Sequence, residues 1–473
     1  RHTVTRGVAK ILAWSCGILF NAPMNTNTAH LQRLQNGPIL STLVRLSLPN
    51  VLAMVMTVAV GIAETYYVGR LGTTPLAAMA LVFPFAMLTG MMSAGAMGGG
   101  VSSAVSRALG AHNTPRASQL VLHAVLIGAV AGTVYSLFFV FMGPTLYALL
   151  GGSGDVLAAA SRYSVVLFSG ALLVWLSNTL ASVLRGTGNM RVPSLGILGT
   201  AVLQIMLGGV LGLGAGPVPS LGMTGIAIGH IVATASGVVY FTWFLWSGRA
   251  RLQLALRGFK LQTEMLHDIL KVGALALISP LQSVLAVLIF TGLIARLGTL
   301  ALAGYGIGQR LEFLLIPISF GIGVASVPMV GMAVGAGHIE RARRVAWTAA
   351  TLSAVNLALI GAWVSFFPLQ WAGLFSQDAA VLQHASDYLT TAGPFFGFFG
   401  MGLTLYFASQ GSGKVLGPVI AGTLRLLLVA GMGAWLLAQG ATAQAYFWLV
   451  AVAMGVYGLS TVVLVRMSRW QRP

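Results

Sequence analysis

Residues 46–73 read LSLPNVLAMVMTVAVGIAETYYVGRLGT. From Val51 to Val68 the only charged residue is Glu64. As a helix, this run is long enough to cross the ~30 Å hydrocarbon layer of a bilayer. It closes on Arg70-Leu71-Gly72-Thr73, and the same four residues recur as Arg296-Leu297-Gly298-Thr299, 226 positions on. Working outward, apolar runs of similar length alternate with short polar breaks. Spans are expected at 46–69, 76–104, 118–142, 161–184, 192–214, 223–246, 268–293, 301–333, 345–367, 386–409, 416–438 and 444–465.

The duplication extends beyond that motif. Gly110-Ala111 with Arg116-Ala117 returns as Gly335-Ala336 with Arg341-Ala342, an offset of 225. Gly186-Thr187-Gly188 with Pro193 returns as Gly411-Ser412-Gly413 with Pro418 at the same offset. Each copy holds six spans. An even number keeps both copies in one topology, related by an axis along the membrane normal. The expected fold is an all-α integral membrane protein with twelve transmembrane helices in two pseudo-symmetric six-helix lobes around a central cavity. Residues 1–40 form an N-terminal extension, 41–246 the first lobe, 247–267 a linker and 268–473 the second lobe. The repeated glycines are read as structural, allowing tight turns and close helix crossings.

Composition agrees. The chain has 473 residues, 57% hydrophobic and 7% charged, against about 25% charged in soluble domains. Its 60 glycines suit helices that pack in lipid. The single cysteine, Cys16, rules out an internal disulfide and makes a cysteine-based metal site or an iron–sulfur cluster untenable. The eight histidines have no ligand-like spacing, so no metal site is expected. His230, inside an apolar span, is read either as a packed structural residue or as one that titrates or binds substrate. No cofactor is expected. There is no nucleophile–base set and no phosphate-binding loop, so the chain is not expected to be an enzyme.

A net charge of +18 raises the question of nucleic acid. With the N-terminus inside, nearly all Lys and Arg fall in cytoplasmic segments. Only Arg70, Arg162 and Arg296 lie outside, and only Arg310 and Arg425 lie within spans. This is the positive-inside pattern of a multi-pass protein of the cytoplasmic membrane, with both termini cytoplasmic. It explains the basic excess without nucleic acid. The stretch Ile11 to Phe20 is too short to span, so the N-terminal extension is read as disordered or interfacial. Asp155 and Asp378 read as solvated loop carboxylates.

Chemistry is sought where polarity in lipid is expensive. Two acids fall well inside spans, Glu64 and Glu312. An ionised side chain at mid-bilayer costs roughly 2.5–3.5 kcal/mol, so the cheaper states are a protonated acid or a carboxylate holding a cation. Glu64 has an apolar counterpart in the second copy, Ile289 or Phe290, and suits a group that exchanges a cation for substrate. The competing reading pairs it with Arg70 or Tyr67. Arg310, Glu312 and Arg425 are read as structural ion-pair candidates, Arg425 being the proposed partner of Glu312. Asn178, Gln204, Gln282, Tyr305 and Gln309, with Met87 and Met91, are candidates for lining a cavity. Hydrogen bonding between helices explains each polar one equally well, and a methionine stripe also serves plain packing.

The chain from about residue 40 resembles the multidrug and toxic compound extrusion (MATE) family of cation-coupled antiporters. The resemblance is carried by Leu48-Pro49-Asn50, by Glu64-Thr65 followed by Val68-Gly69-Arg70-Leu71-Gly72, and by Leu184-Arg185-Gly186-Thr187-Gly188-Asn189 with Arg191 and Pro193. It continues through Tyr305-Gly306-Ile307, Arg310-Leu311-Glu312, Val330-Gly331 and Gly335-Ala336-Gly337 with Arg341-Ala342. The family implies two lobes around a V-shaped cavity and export of cationic or amphipathic compounds driven by inward H⁺ or Na⁺. Its first-span acid, usually Asp, falls on Glu64. A span-five Asn and the Asp four residues later fall on Gln204 and Gly208, so one carboxylate is missing. The acids that one branch places in spans 7 and 10 are also absent. Sodium sites need several oxygens, which favours protons as the coupling ion. The expected partners are small-molecule substrates and the lipid bilayer, around a monomer. The rivals are a lipid-linked oligosaccharide flippase of the same superfamily and a channel or membrane scaffold.

Overall fold

The computed structural model describes residues 34–250, 252 and 260–470. Most of the N-terminal extension, Cys16, the stretch Ile11 to Phe20 and much of the linker lie outside the described residues. The helices are α1 (Ile39–Leu71), α2 (Thr73–Gly110), α3 (Thr114–Leu149), α4 (Gly154–Ser169 and Ala171–Gly186), α5 (Arg191–Leu213) and α6 (Gly222–Trp246). In the second copy they are α7 (Thr263–Ala295), α8 (Thr299–Gly335), α9 (Ile339–Phe366), α10 (Ala379–Ala392 and Phe396–Ser412), α11 (Leu416–Ala438) and α12 (Ala443–Met467). Ten are long and apolar enough to cross a membrane unaided, and α4 crosses with a 41° bend. α10 is the twelfth, interrupted by the tight turn Gly393–Phe395. Pro394 has no amide to donate, so the helix breaks there. The α4 bend at Gly170 falls at the matching place in the first copy.

Every expected span falls on one of these helices, those at 192–214 and 345–367 ending one residue past α5 and α9. The helices run several residues further, α1 beginning at Ile39 rather than 46 and α10 at Ala379 rather than 386. Polar ends stay helical in water, where hydropathy no longer marks them. One local departure had no periodic signature. Within α2, Met91–Met97 winds as a π-helix, a form common at functional sites.

The two copies match in backbone detail. Gly72 and Gly298, from the first repeated motif, have φ of 122° and 111°. Gly188 and Gly413 have φ of 82° and 76°. Gly186 abuts Ser102 and Val105 in the first lobe, and Gly411 abuts Val327 and Val330 in the second. Each of these partners is also displaced by 225.

The lobes meet through α1 and α2 on one side and α7, α8 and α10 on the other. The contacts crowd at the end of the bundle that carries most Lys and Arg, called here the basic end. All residues of Gly98–Gly110 in α2 are buried, as are those from Gly321 to Gly335 in α8. Glycines make this closeness possible. A Cβ on Gly100 would sit 2.7 Å from the Gly273 amide nitrogen. The repeat glycines Gly110 and Gly335 pack against Met332 and against the Arg107 carbonyl, so each copy's motif seats on the other.

Polar groups seal the same end. Arg107 of α2 donates to Asp268 of α7 at 2.7 Å, and Arg116 of α3 reaches the other Asp268 oxygen at 3.4 Å. Ser103 donates to the Gln410 carbonyl and accepts from Arg107. The Gln262 amide donates to His123 Nε2 at 3.0 Å. Large apolar side chains of the spans are exposed along their length, among them Leu48, Ile62 and Tyr66 on α1, Phe83 on α2, Leu288 on α7 and Leu314 on α8, as expected of surfaces that face lipid.

Candidate functional site

Glu64 sits a little under two turns before the end of α1 and is partly buried. Its Oε1 accepts a hydrogen bond from Gln204 Nε2 of α5 at 2.7 Å. Gln204 is 8% exposed. The alternative partners are not used. Arg70 is exposed and forms no ion pair among the described residues, and the Tyr67 hydroxyl donates instead to the Ile205 carbonyl at 3.2 Å. The α1–α5 seam is fixed lower down as well, where Asn50 donates to Met190 Sδ and accepts from Ser194 at 3.3 Å. A neutral amide is therefore the hydrogen-bond partner of this carboxyl group within a span, and no Lys or Arg among the described residues forms an ion pair with it. Tyr163 of α4, 5% exposed, lies within electrostatic reach of Glu64.

The second lobe holds a different cluster. Glu312 Oε1 accepts from the Tyr388 hydroxyl of α10. Tyr305 packs edge-on to Tyr388 at 5.3 Å and accepts from Gln309 at 3.2 Å. Gln282 of α7 donates to Thr423 Oγ1 of α11 at 2.7 Å and to the Val419 carbonyl at 3.4 Å. The expected ion pairs among Arg310, Glu312 and Arg425 do not form. Arg310 is exposed and stacks on Phe375 at 5.1 Å, because α8 carries it up beside the loop that holds Phe375. Arg425 lies over the rings of Phe399 and Tyr457 at 5.8 and 5.7 Å. Tyrosine takes the place of arginine as the partner of Glu312.

Of the remaining candidates, Asn178 of α4 donates to Ser93 in the π-helical stretch at 2.8 Å. Met91 opens that stretch, and Met87 lies one turn earlier. Both methionines are partly buried. Asp378 caps α10, accepting from the Val381 amide at 3.0 Å, while Asp155 is an exposed first-turn residue of α4. His230 is partly buried on α6. The two site tyrosines were not singled out in sequence. Tyr388 follows Tyr163 by 225 positions, a signal the repeat could have supplied.

Comparison with known proteins places this geometry. The MatE family model matches residues 49–210 and again 276–436, once in each lobe. The chain belongs to the MATE family. Its members are efflux transporters of drugs and toxic compounds, and this chain is a multi-pass membrane transporter of that class. It is 25% identical over 397 residues to a FAD transporter of Shewanella oneidensis, covering 84% of this chain and 87% of that one. It is 24% identical over 450 residues to the multidrug export protein MepA of Staphylococcus aureus, covering 93% and 96%. Among solved structures, a transporter of the MOP superfamily from Pyrococcus furiosus superposes with a TM-score of 0.85 at 23% identity, covering 94% and 98%. An outward-facing MATE transporter of the same superfamily gives 0.84 at 23%, with the same coverage. Both share the fold.

Proposed function

We propose that this MATE transporter exports amphipathic or cationic small molecules in exchange for protons, as a monomer in the cytoplasmic membrane with its basic end and both termini inside. Inter-lobe contacts such as Arg107 with Asp268 close its basic end, which supports a state sealed toward the cytoplasm. The observation that carries the coupling role is Glu64, a carboxyl group within a span of α1 whose hydrogen-bond partner is the neutral Gln204 amide. A proton arriving from outside neutralises the carboxylate, removes the cost of charge in the membrane, and lets α1 repack against α5. Substrate binding weakens and release outward follows. The lobes then close outside and open inside, where the proton leaves and new substrate binds. One carboxylate and one amide offer few oxygens for sodium, which supports protons. One charge moving through ~100 mV supplies roughly 2.3 kcal/mol, about fifty-fold accumulation.

The test is Glu64→Gln in proteoliposomes under an imposed pH gradient, read by dye transport at fixed pH with sodium varied. Transport is expected to fall to background while the protein stays in the membrane at wild-type level. Full gradient-driven transport by this variant would refute the assignment, and a sodium requirement in the wild type would replace the ion.

A further inference from the structure

Arg425 makes no hydrogen bond and no ion pair among the described residues. A guanidinium has five donors and never gives up its charge in a protein. In the middle of a lobe such a group is expected to meet an acceptor. Instead its Nε is buried and unpartnered, and it lines a recess of about 20 Å³ between α7, α11 and α12. Two other atoms around that recess are buried without partners, Ser279 Oγ and Gln282 Oε1. Gln282 is 8% exposed and its amide nitrogen is fully engaged with Thr423 and Val419, which fixes the side chain with its oxygen unbonded. Ser283 and Tyr457 complete the lining. Glu312 lies within electrostatic reach of Arg425 but does not contact it, and its carboxylate is occupied by Tyr388.

We propose that this recess is an anion subsite, taking a carboxylate-type oxyanion on the Arg425 guanidinium and the Ser279 hydroxyl. The charge excludes a cation. A volume of about 20 Å³ holds little more than a water molecule, so it admits one oxygen of a carboxylate and leaves the rest of the molecule outside. The two orphan donors face the space one carboxylate oxygen would take, and guanidinium–carboxylate hydrogen bonds are among the strong ones available to a side chain. The subsite lies in the opposite lobe from Glu64. Resting on the export reading, this deepens it: a compound carrying a cationic and an anionic group presents one to each lobe.

The experiment compares rhodamine 110, which bears a free carboxylate, with rhodamine 123, its methyl ester, in proteoliposomes under a pH gradient. Arg425→Gln is expected to raise KM for rhodamine 110 at least tenfold and to change that for rhodamine 123 less than twofold, with Arg425→Lys intermediate. Ser279→Ala keeps the charge and gives a smaller selective loss, so the reading is testable even if Arg425→Gln does not fold. Free benzoate serves as the second arm. Benzoate that raises the thermal stability of the wild type, and not of Arg425→Gln, identifies an anion taken from solution, and selective loss of rhodamine 110 identifies one carried by the exported compound. Either result supports the subsite. Equal effects on both dyes without a benzoate response would overturn it. So would recovery of rhodamine 110 transport in Glu312→Gln/Arg425→Gln, which would show the two charges acting as a structural pair. If rhodamine 123 moves normally and no arm depends on Arg425, the subsite fails while the export reading stands. If the wild type moves neither dye under the gradient, the export reading fails.

Discussion

Replacing Asp268 with Ala should open the basic end. Asp268 on α7 accepts from Arg107 on α2 at 2.7 Å and from Arg116 on α3 at 3.4 Å, so one carboxylate joins two cations of the other lobe. The Arg107 side chain is 7% exposed and that of Asp268 26%. Removing one partner of a buried pair costs about 3–5 kcal/mol, whereas a surface pair contributes up to about 1 kcal/mol. A quarter-exposed acceptor lies between these limits, and about 2 kcal/mol is a fair value. The partners belong to different lobes, so the contact exists only while the basic end is closed, and its loss falls on that state alone. At 1.36 kcal/mol per factor of ten, the closed population drops roughly thirty-fold relative to the open one. Spin labels at Thr114→Cys and His338→Cys, exposed positions on opposite lobes, in a Cys16→Ser background, would report the shift as a second, longer distance. The reversed pair Arg107→Asp/Asp268→Arg should restore part of the short distance. An unchanged distance distribution in Asp268→Ala would show that the ion pair does not hold the lobes together.

Two further variants probe the same framework. Gly100→Val places side-chain atoms where the Gly273 backbone already sits, with a Cβ only 2.7 Å from its nitrogen; transport should fall at least tenfold in the proteoliposome assay, while Gly431→Val, with no heavy atom within 4 Å of an added Cβ, should leave it unchanged. Tyr388→Phe strips the hydroxyl that Glu312 accepts and should lower stability by about 1–3 kcal/mol, read by thermal unfolding in detergent, with rhodamine 123 transport reduced less than twofold.

The architecture was legible in the sequence because lipid imposes it. Each span must satisfy its own backbone, so helices of a set length are the available solution. Two further constraints were equally visible. A glycine at Gly72 or Gly298 marks a turn that only glycine adopts easily, and the repeat offset shows that both copies share it. The site was legible in part. Glu64 stood out because a charge is costly in its surroundings, and Gln204 stood out as a polar residue of another span, but their pairing did not, since a separation of 140 positions carries no trace of their meeting. Counting charges suggested that Glu312 and Arg425 would pair. What decides is where each helix face points, and α10 delivers Tyr388 to Glu312 first. The π-helical stretch at Met91–Met97 left no periodic signal, because one extra residue in a turn does not change which residues are apolar.

The division between what the two copies share and what they do not is itself an argument about mechanism. Shared positions serve packing: Gly110 and Gly335 pack across the interface, and Gly186 and Gly411 seat equivalent helices within each lobe. A joint that must open and reclose needs matched surfaces on both sides, and duplication supplies them. The charged groups inside the spans depart from the symmetry. Glu64 has an apolar counterpart, and Arg425 falls opposite Thr200 in the first copy. If both lobes carried the same charge, a single ion would favour neither, and its arrival would not distinguish one arrangement of the lobes from the other. On the proposed mechanism, Glu64 in one lobe and Arg425 with Glu312 in the other make the two lobes electrically distinct, so that protonation of Glu64 changes the field on one side alone. Symmetric contacts would then set how the lobes move, and asymmetric charges what moves them.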